Sequence, residues 1–174
     1  GATYQLNNDW RIEKMETSAA ANVFTVATGN TLTIDDSFYQ RAGSTLTLVG
    51  SANMNVGTTS WCAPEAGCIF NLNTGTLNVD GTTSLTGASG TFNANSGIML
   101  LAGDVLNSAT GTFNCGTSLM KCDAAAATTL QMNGDAVYNL EVEKTSNGIT
   151  PLSALDINGY LEIDDGDFDA ATFT

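Results

Sequence analysis

A chain of 174 residues, 43% of them hydrophobic, is long enough for one domain with a sizeable core. Its 18 acidic and 5 basic residues give a net charge of −13, which repels nucleic acid and anionic lipid. With no histidine, the chain lacks the usual general base, the commonest metal ligand and an imidazole pH switch.

We read residues 1–174 as a single domain. Short period-two signals run through it from end to end. Tyr4-x-Leu6, Trp10-x-Ile12, Phe24-x-Val26, Leu32-x-Ile34, Leu46-x-Leu48 and Met54-x-Val56 come first. Phe70-x-Leu72, Leu77-x-Val79, Phe92-x-Ala94 and Phe113-x-Cys115 follow, then Leu130-x-Met132, Leu140-x-Val142, Leu155-x-Ile157, Leu161-x-Ile163 and Phe168-x-Ala170. Each places two inward residues around one outward residue, the mark of a strand with one wet face. Between them lie Gly, Asn, Asp and Ser turn formers such as "ATGN", "RAGS", "GASG" and "DDGD". Helical spacing is nearly absent. Asp123 to Ala127 predicts a single turn at most, and Glu13 to Ala21 admits another, although Ser18 to Asn22 reads more easily as a loop. Ile98–Ala102, the longest apolar run, is too short to span a bilayer. The chain opens Gly1-Ala2-Thr3-Tyr4 in strand-like sequence with neither a start methionine nor a signal-peptide pattern, and reads as a mature or trimmed chain.

A repeating unit underlies the pattern. "GNTLTI" at 29 returns as "GSTLTL" at 43, and "GTLNV" at 75 returns as "GTFNA" at 90 and "GTFNC" at 111. The fold expected is therefore all-β: a parallel β-helix, or β-solenoid, with short strands and Gly/Asn turns. A β-sandwich or jelly roll is the alternative. In a solenoid each outward residue stacks on its counterpart in the next coil. Thr, Ser and Asn tolerate that, whereas a ladder of like charges repels. Residues 74–94, with Asp80 as their sole charge, fit this expectation.

Tyr138, Asn139, Leu140 and Val142, followed by Leu155, Ile157, Gly159, Leu161 and Ile163, form a pattern that resembles repeats of bacterial secreted and surface-attached β-solenoid proteins. The resemblance is close over residues 136–148 and 152–170 and one of style elsewhere. It implies a stalk, adhesin or matrix protein and no reaction.

Four cysteines fall in two local pairs, Cys62 with Cys68 and Cys115 with Cys122. Even count and close spacing point to disulfides, within or across the pairs, and to an oxidising, extracellular setting. Free buried thiols and a metal site are the rival readings. Asp164, Asp165, Asp167 and Asp169 make an oxygen-rich segment suited to Ca2+, with Asp156 and Glu162 just before it. A solvated acidic turn is the plainer reading. No other cofactor is expected. Asp35-Asp36 and Asp164-Asp165 have the residue types of a glycosidase's paired carboxylates. Histidine is absent, however, and Arg11, Lys14, Arg41, Lys121 and Lys144 are scattered, so the chain reads as no enzyme. Thr31-x-Thr33 and Thr45-x-Thr47 are too few for an ice-binding array.

The expected function is structural: a self-assembling fibre, surface-layer or adhesin-type module on a cell surface. A carbohydrate-binding or polysaccharide-processing β-helix is the second reading, and a viral or phage surface fibre or decoration protein the third. Expected partners are further copies stacked head to tail, since neither end shows a capping helix, and a neutral polysaccharide or cell surface. Nucleic acid and a membrane span are not expected.

Overall fold

Short apolar pairs punctuated by glycine-bearing turns wind the backbone into a parallel β-solenoid of about 7 turns, with no helix among the described residues. The computed structural model describes residues 1–17, 21–57, 60–62, 65–123 and 125–169. The first coil holds β1 (Thr3–Leu6) and β2 (Trp10–Thr17), and the second β3 (Val23–Val26) and β4 (Thr31–Gln40). The third has β5 (Thr45–Leu48), β6 (Asn53–Val56) and β7 (Ser60–Cys62); the fourth has β8 (Ile69–Asn71), β9 (Thr76–Val79) and β10 (Thr83–Ser84). Next come β11 (Thr91–Asn93), β12 (Ile98–Leu101) and β13 (Val105–Leu106), then β14 (Thr112–Asn114), β15 (Leu119–Cys122) and β16 (Thr128–Gln131). The last coils hold β17 (Asn139–Pro151) and β18 (Leu161–Phe168).

Each full coil has three sides. On face A, β1, β3, β5, β8, β11 and β14 stack as a 6-stranded sheet. The remaining 12 strands form one sheet that folds round a corner into faces B and C. Four long strands, β2, β4, β17 and β18, carry it through that corner. In β4, Thr31–Ile34 pair with β6 on face B, while Ser37–Tyr39 pair with β7 on face C. Pairing is parallel between neighbouring coils on every face, which excludes the two facing antiparallel sheets of a sandwich. The helical turn admitted at Glu13–Ala21 is corrected: β2 runs as strand to Thr17, and residues 18–20 lie outside the described set. That expected near 123–127 is corrected as well, because Cys122 ends β15 and Thr128 opens β16 across a bend.

The inward pairs make columns. On face A, Tyr4, Phe24, Leu46, Phe70, Phe92 and Phe113 align in register. The rings of Phe70 and Phe92 lie 4.7 Å apart and tilted at 41°, and those of Phe92 and Phe113 lie 5.6 Å apart at 45°. Both are favourable aromatic geometries. Face B contributes Leu32, Met54, Leu77, Met99, Met120 and Leu140, all fully buried. A second column runs through Ile34, Val56, Val79, Leu101, Cys122 and Val142.

The outward positions explain the uncharged composition. Asn114 Nδ2 donates to Asn93 Oδ1 at 2.7 Å, Asn93 Nδ2 to Asn71 Oδ1 at 2.8 Å, and Asn71 Nδ2 to Thr47 Oγ1 at 3.1 Å. These partners lie 21, 22 and 24 residues apart, one coil each. An amide carries both donor and acceptor, so identical copies bond to one another, which like charges cannot do. At the turn between faces A and B, Gly50, Asn73, Asn95 and Gly116 all take φ of +53° to +57°. Only Gly or Asn enters that left-handed region cheaply.

Candidate functional site

The carboxylates expected to bind calcium do not gather. Asp164, Asp165 and Asp167 are strung along β18, with Asp169 one residue beyond it, and all are exposed or nearly so. An extended strand sends successive side chains to opposite faces, so the cluster in sequence disperses in space. Among the described residues, no group of three or more His, Cys, Asp or Glu side chains is arranged to hold a metal ion. The calcium expectation thus finds no cage. Asp35 and Asp36 meet cations instead: Arg11 Nε donates to Asp35 Oδ1 at 3.0 Å, and Lys14 Nζ lies 2.9 Å from Asp36 Oδ2. Six coil steps separate Asp35 from Asp164, about 29 Å along the axis at ~4.8 Å per strand. The two acid pairs share no cleft.

Disulfides are corrected at three of the four cysteines. Cys68, Cys115 and Cys122 carry free thiols; the Cys62 side chain lies outside the described residues. Cys122 fills a core position on face B between Leu101 and Val142. Cys115 closes the inward pair that begins with Phe113 on face A. β15 alone carries the chain about 10 Å away from the intervening turn, farther than the roughly 7 Å Cα separation that a disulfide tolerates. The Cys68 thiol donates to Arg41 O at 2.9 Å under the corner between faces C and A.

Burial pushes the Cys122 thiol up from 9.0 to about 12, partly offset by Lys144. A raised folded pKa sets the sign: the stabilising contribution is full below 9.0 and is lost as pH rises through about 12. Thiolate is the reactive form. A thiol reagent at mildly alkaline pH is therefore expected to spare Cys122 in the native chain. After denaturation without reductant it should titrate Cys68, Cys115 and Cys122. Finding those sulfurs already oxidised would contradict the assignment.

Lys144 is a site residue that the sequence does not announce. It is fully buried at a bulge of β17, and its Nζ donates to Ala126 O at 3.1 Å in the coil before. Burial lowers its pKa, opposed by Cys122, Asp123 and Asp104. Beside it, Asn147 Nδ2 reaches Ala125 O at 3.2 Å. The bulge thus ties down the segment that links β15 to β16. A groove of about 490 Å3 lined by Asp80, Asp104, Ala126 and Thr128 opens nearby. Within it, Asp104 Oδ1 is already taken by Thr129 N at 2.7 Å and Thr129 Oγ1 at 2.9 Å.

The terminal coils stand out most. In the first, Tyr4 is 55% and Trp10 52% exposed, and Tyr4, Met15, Thr17, Asn22 and Phe24 border a cavity of about 270 Å3. In the last, Tyr160, Leu161 and Ile163 are each more than two-fifths exposed. Leu161 and Ile163 belong to columns that are buried in the coils between, and Tyr4 to one that is half-buried at Phe24 and buried from Leu46 to Phe113. Among the described residues, β1 pairs only with β3, β2 only with β4, and β18 only with β17. Among the described residues, the first and last coils thus each have a backbone edge without a strand partner beside an apolar column, as does β14 at the end of the face A sheet.

Comparison with known proteins finds no matching family model, no matching curated protein and no matching solved structure. No helix among the described residues is long and apolar enough to cross a membrane.

Proposed function

We propose that the chain is a structural module: a stiff β-solenoid rod, set at a cell surface or outside the cell, that lengthens by accepting further coils at its ends. The observation that carries this reading is the pair of outermost described coils, where Tyr4, Leu161 and Ile163 of otherwise packed columns face solvent beside strand edges that have no partner among the described residues. Exposed edges of this kind template another strand, and head-to-tail contact between unlike ends produces an open filament. Also in support, the flanks bear stacked Thr and Asn, and the acids are dispersed or ion-paired, leaving no converging acid/base set among the described residues. The free thiols remove disulfides as a reason for an oxidising compartment. The surface setting accordingly rests on the resemblance of residues 136–148 and 152–170 and on the Thr/Asn-rich exterior.

Sedimentation velocity of the purified chain from micromolar to millimolar concentration tests the proposal. Expected is a concentration-dependent series of rods one, two and more subunits long, seen by electron microscopy as filaments of constant width. A single monomer boundary throughout would remove the stacking function.

A further inference from the structure

The column register extends beyond one molecule. On face B, Lys121, Glu141 and Glu162 occupy one outward column in three successive coils. Lys121 Nζ pairs with Glu143 and also lies 3.9 Å from Glu141 Oε2, and Tyr160 OH donates to Glu141 Oε1 at 2.6 Å. Glu162 then stacks below Glu141, a like-charge contact that ends the column. No ion pair among the described residues involves Glu162, Asp164, Asp165 or Asp167.

At the opposite end the same column begins with Arg11, which stacks on Thr33 in the second coil, followed by Asn55 and Asn78. Its side chain is 76% exposed. Asp35 engages only its Nε–H, and a guanidinium has five N–H donors in all, so the remainder can serve a second carboxylate. Flanking it in register are Trp10 and Ile12; flanking Glu162 are Leu161 and Ile163. β2 also bears Glu13 and Glu16, but Glu16 is held by Arg41 and Glu13 falls at the register shift between Ile12 and Lys14.

We propose that a second copy of this chain seats its first coil on the last coil of the one before, in the register of face B: Trp10 on Leu161, Arg11 on Glu162 and Ile12 on Ile163. The contact rests on the stacking reading above and adds its register. The exposed Trp10, Leu161 and Ile163 and the half-buried Ile12 are covered, and the Glu141–Glu162 step becomes a column of Lys121, Glu141, Glu162 and the next copy's Arg11. The charges then run plus, minus, minus, plus. Parallel strand pairing continues across the junction, which closes both open edges.

Charge reversal distinguishes this register from stacking of any other kind. Arg11→Glu and Glu162→Arg each place like charges at the junction, and each is expected to weaken assembly by about tenfold or more. Mixed in equal amounts, the two variants restore opposite charges at every mixed junction. The reversed position 11 of one then meets the reversed position 162 of the other, and the unaltered Arg11 meets the unaltered Glu162. Filaments of alternating subunits should therefore return. Wild-type assembly should also weaken as salt is raised. Circular dichroism and melting confirm that each variant folds; should Arg11→Glu melt early, Arg11→Gln replaces it, with the same direction expected. Variants that assemble like the wild type, or a mixture that fails to recover, would overturn the register while leaving stacking intact. A wild-type chain that stays monomeric would overturn both.

Discussion

Phe92→Ala is expected to lower the unfolding free energy by about 3–5 kcal/mol, the usual cost of emptying a large buried aromatic site. Phe92 is fully buried at the middle of the face A column. It loses two ring contacts at once, to Phe70 at 4.7 Å and Phe113 at 5.6 Å, each worth about 0.5–1.5 kcal/mol beyond area burial. Face A strands are three or four residues long, so little else holds the coils in line there. Equilibrium urea unfolding followed by circular dichroism reads the change. Tyr4→Ala at the exposed end of the same column is the control, and should shift stability by less than about 1 kcal/mol. Equal effects at the two positions would contradict the column.

Gly116→Ala carries the second large cost, about 2–5 kcal/mol, from two sources. Its φ of +57° is left-handed, which charges an alanine about 1–2 kcal/mol. An added Cβ would also fall 2.2 Å from Asn95 O in the preceding coil, a backbone clash relieved only by moving one coil against another, worth about 1–3 kcal/mol. Asn95 and Asn73 adopt the same left-handed turn one and two coils earlier and carry side chains there. Their amides use the position, with Asn95 Nδ2 donating to Asn73 Oδ1 at 3.2 Å. Gly67 separates the two sources: its φ is +72° and nothing lies within 4 Å of an added Cβ, so Gly67→Ala should cost only the conformational share. Thermal melts of the two variants side by side give the comparison. A Gly116 variant no worse than the Gly67 one would mean that the coils do not approach so closely.

The inward pairs that define the fold are readable because each alternates around one polar residue. Phe70-x-Leu72, Leu77-x-Val79 and Phe92-x-Ala94 are all buried where the period-two pattern puts them. β12 escapes because Ile98–Leu101 is apolar throughout: its outward Leu100 lies over Asn78 and beneath Lys121, and alternation vanishes. β10 and β13 are two residues long, too short for any period, which hides the third face. Spacing alone misleads at the cysteines. Aligning the "GTFN" copies at 90 and 111 puts Cys115 where Ala94 stands and Cys122 where Leu101 stands, both core positions. That signal is present in the repeat. Lys144 leaves none, because its burial depends on a bulge that register alone creates. The acids near the end form a cluster in sequence, and an extended strand disperses them.

The rod, its ends and the junction between copies all depend on residues about one coil apart in sequence lying side by side in parallel. A nuclear Overhauser map of the labelled chain observes that directly. Expected are ring-to-ring contacts from Phe70 to Phe92 and from Phe92 to Phe113, with backbone contacts linking Thr76 to Ile98 and Ile98 to Leu119. Strong Hα–Hα contacts between adjacent strands running in opposite directions, with those ring contacts missing, would contradict the parallel coil.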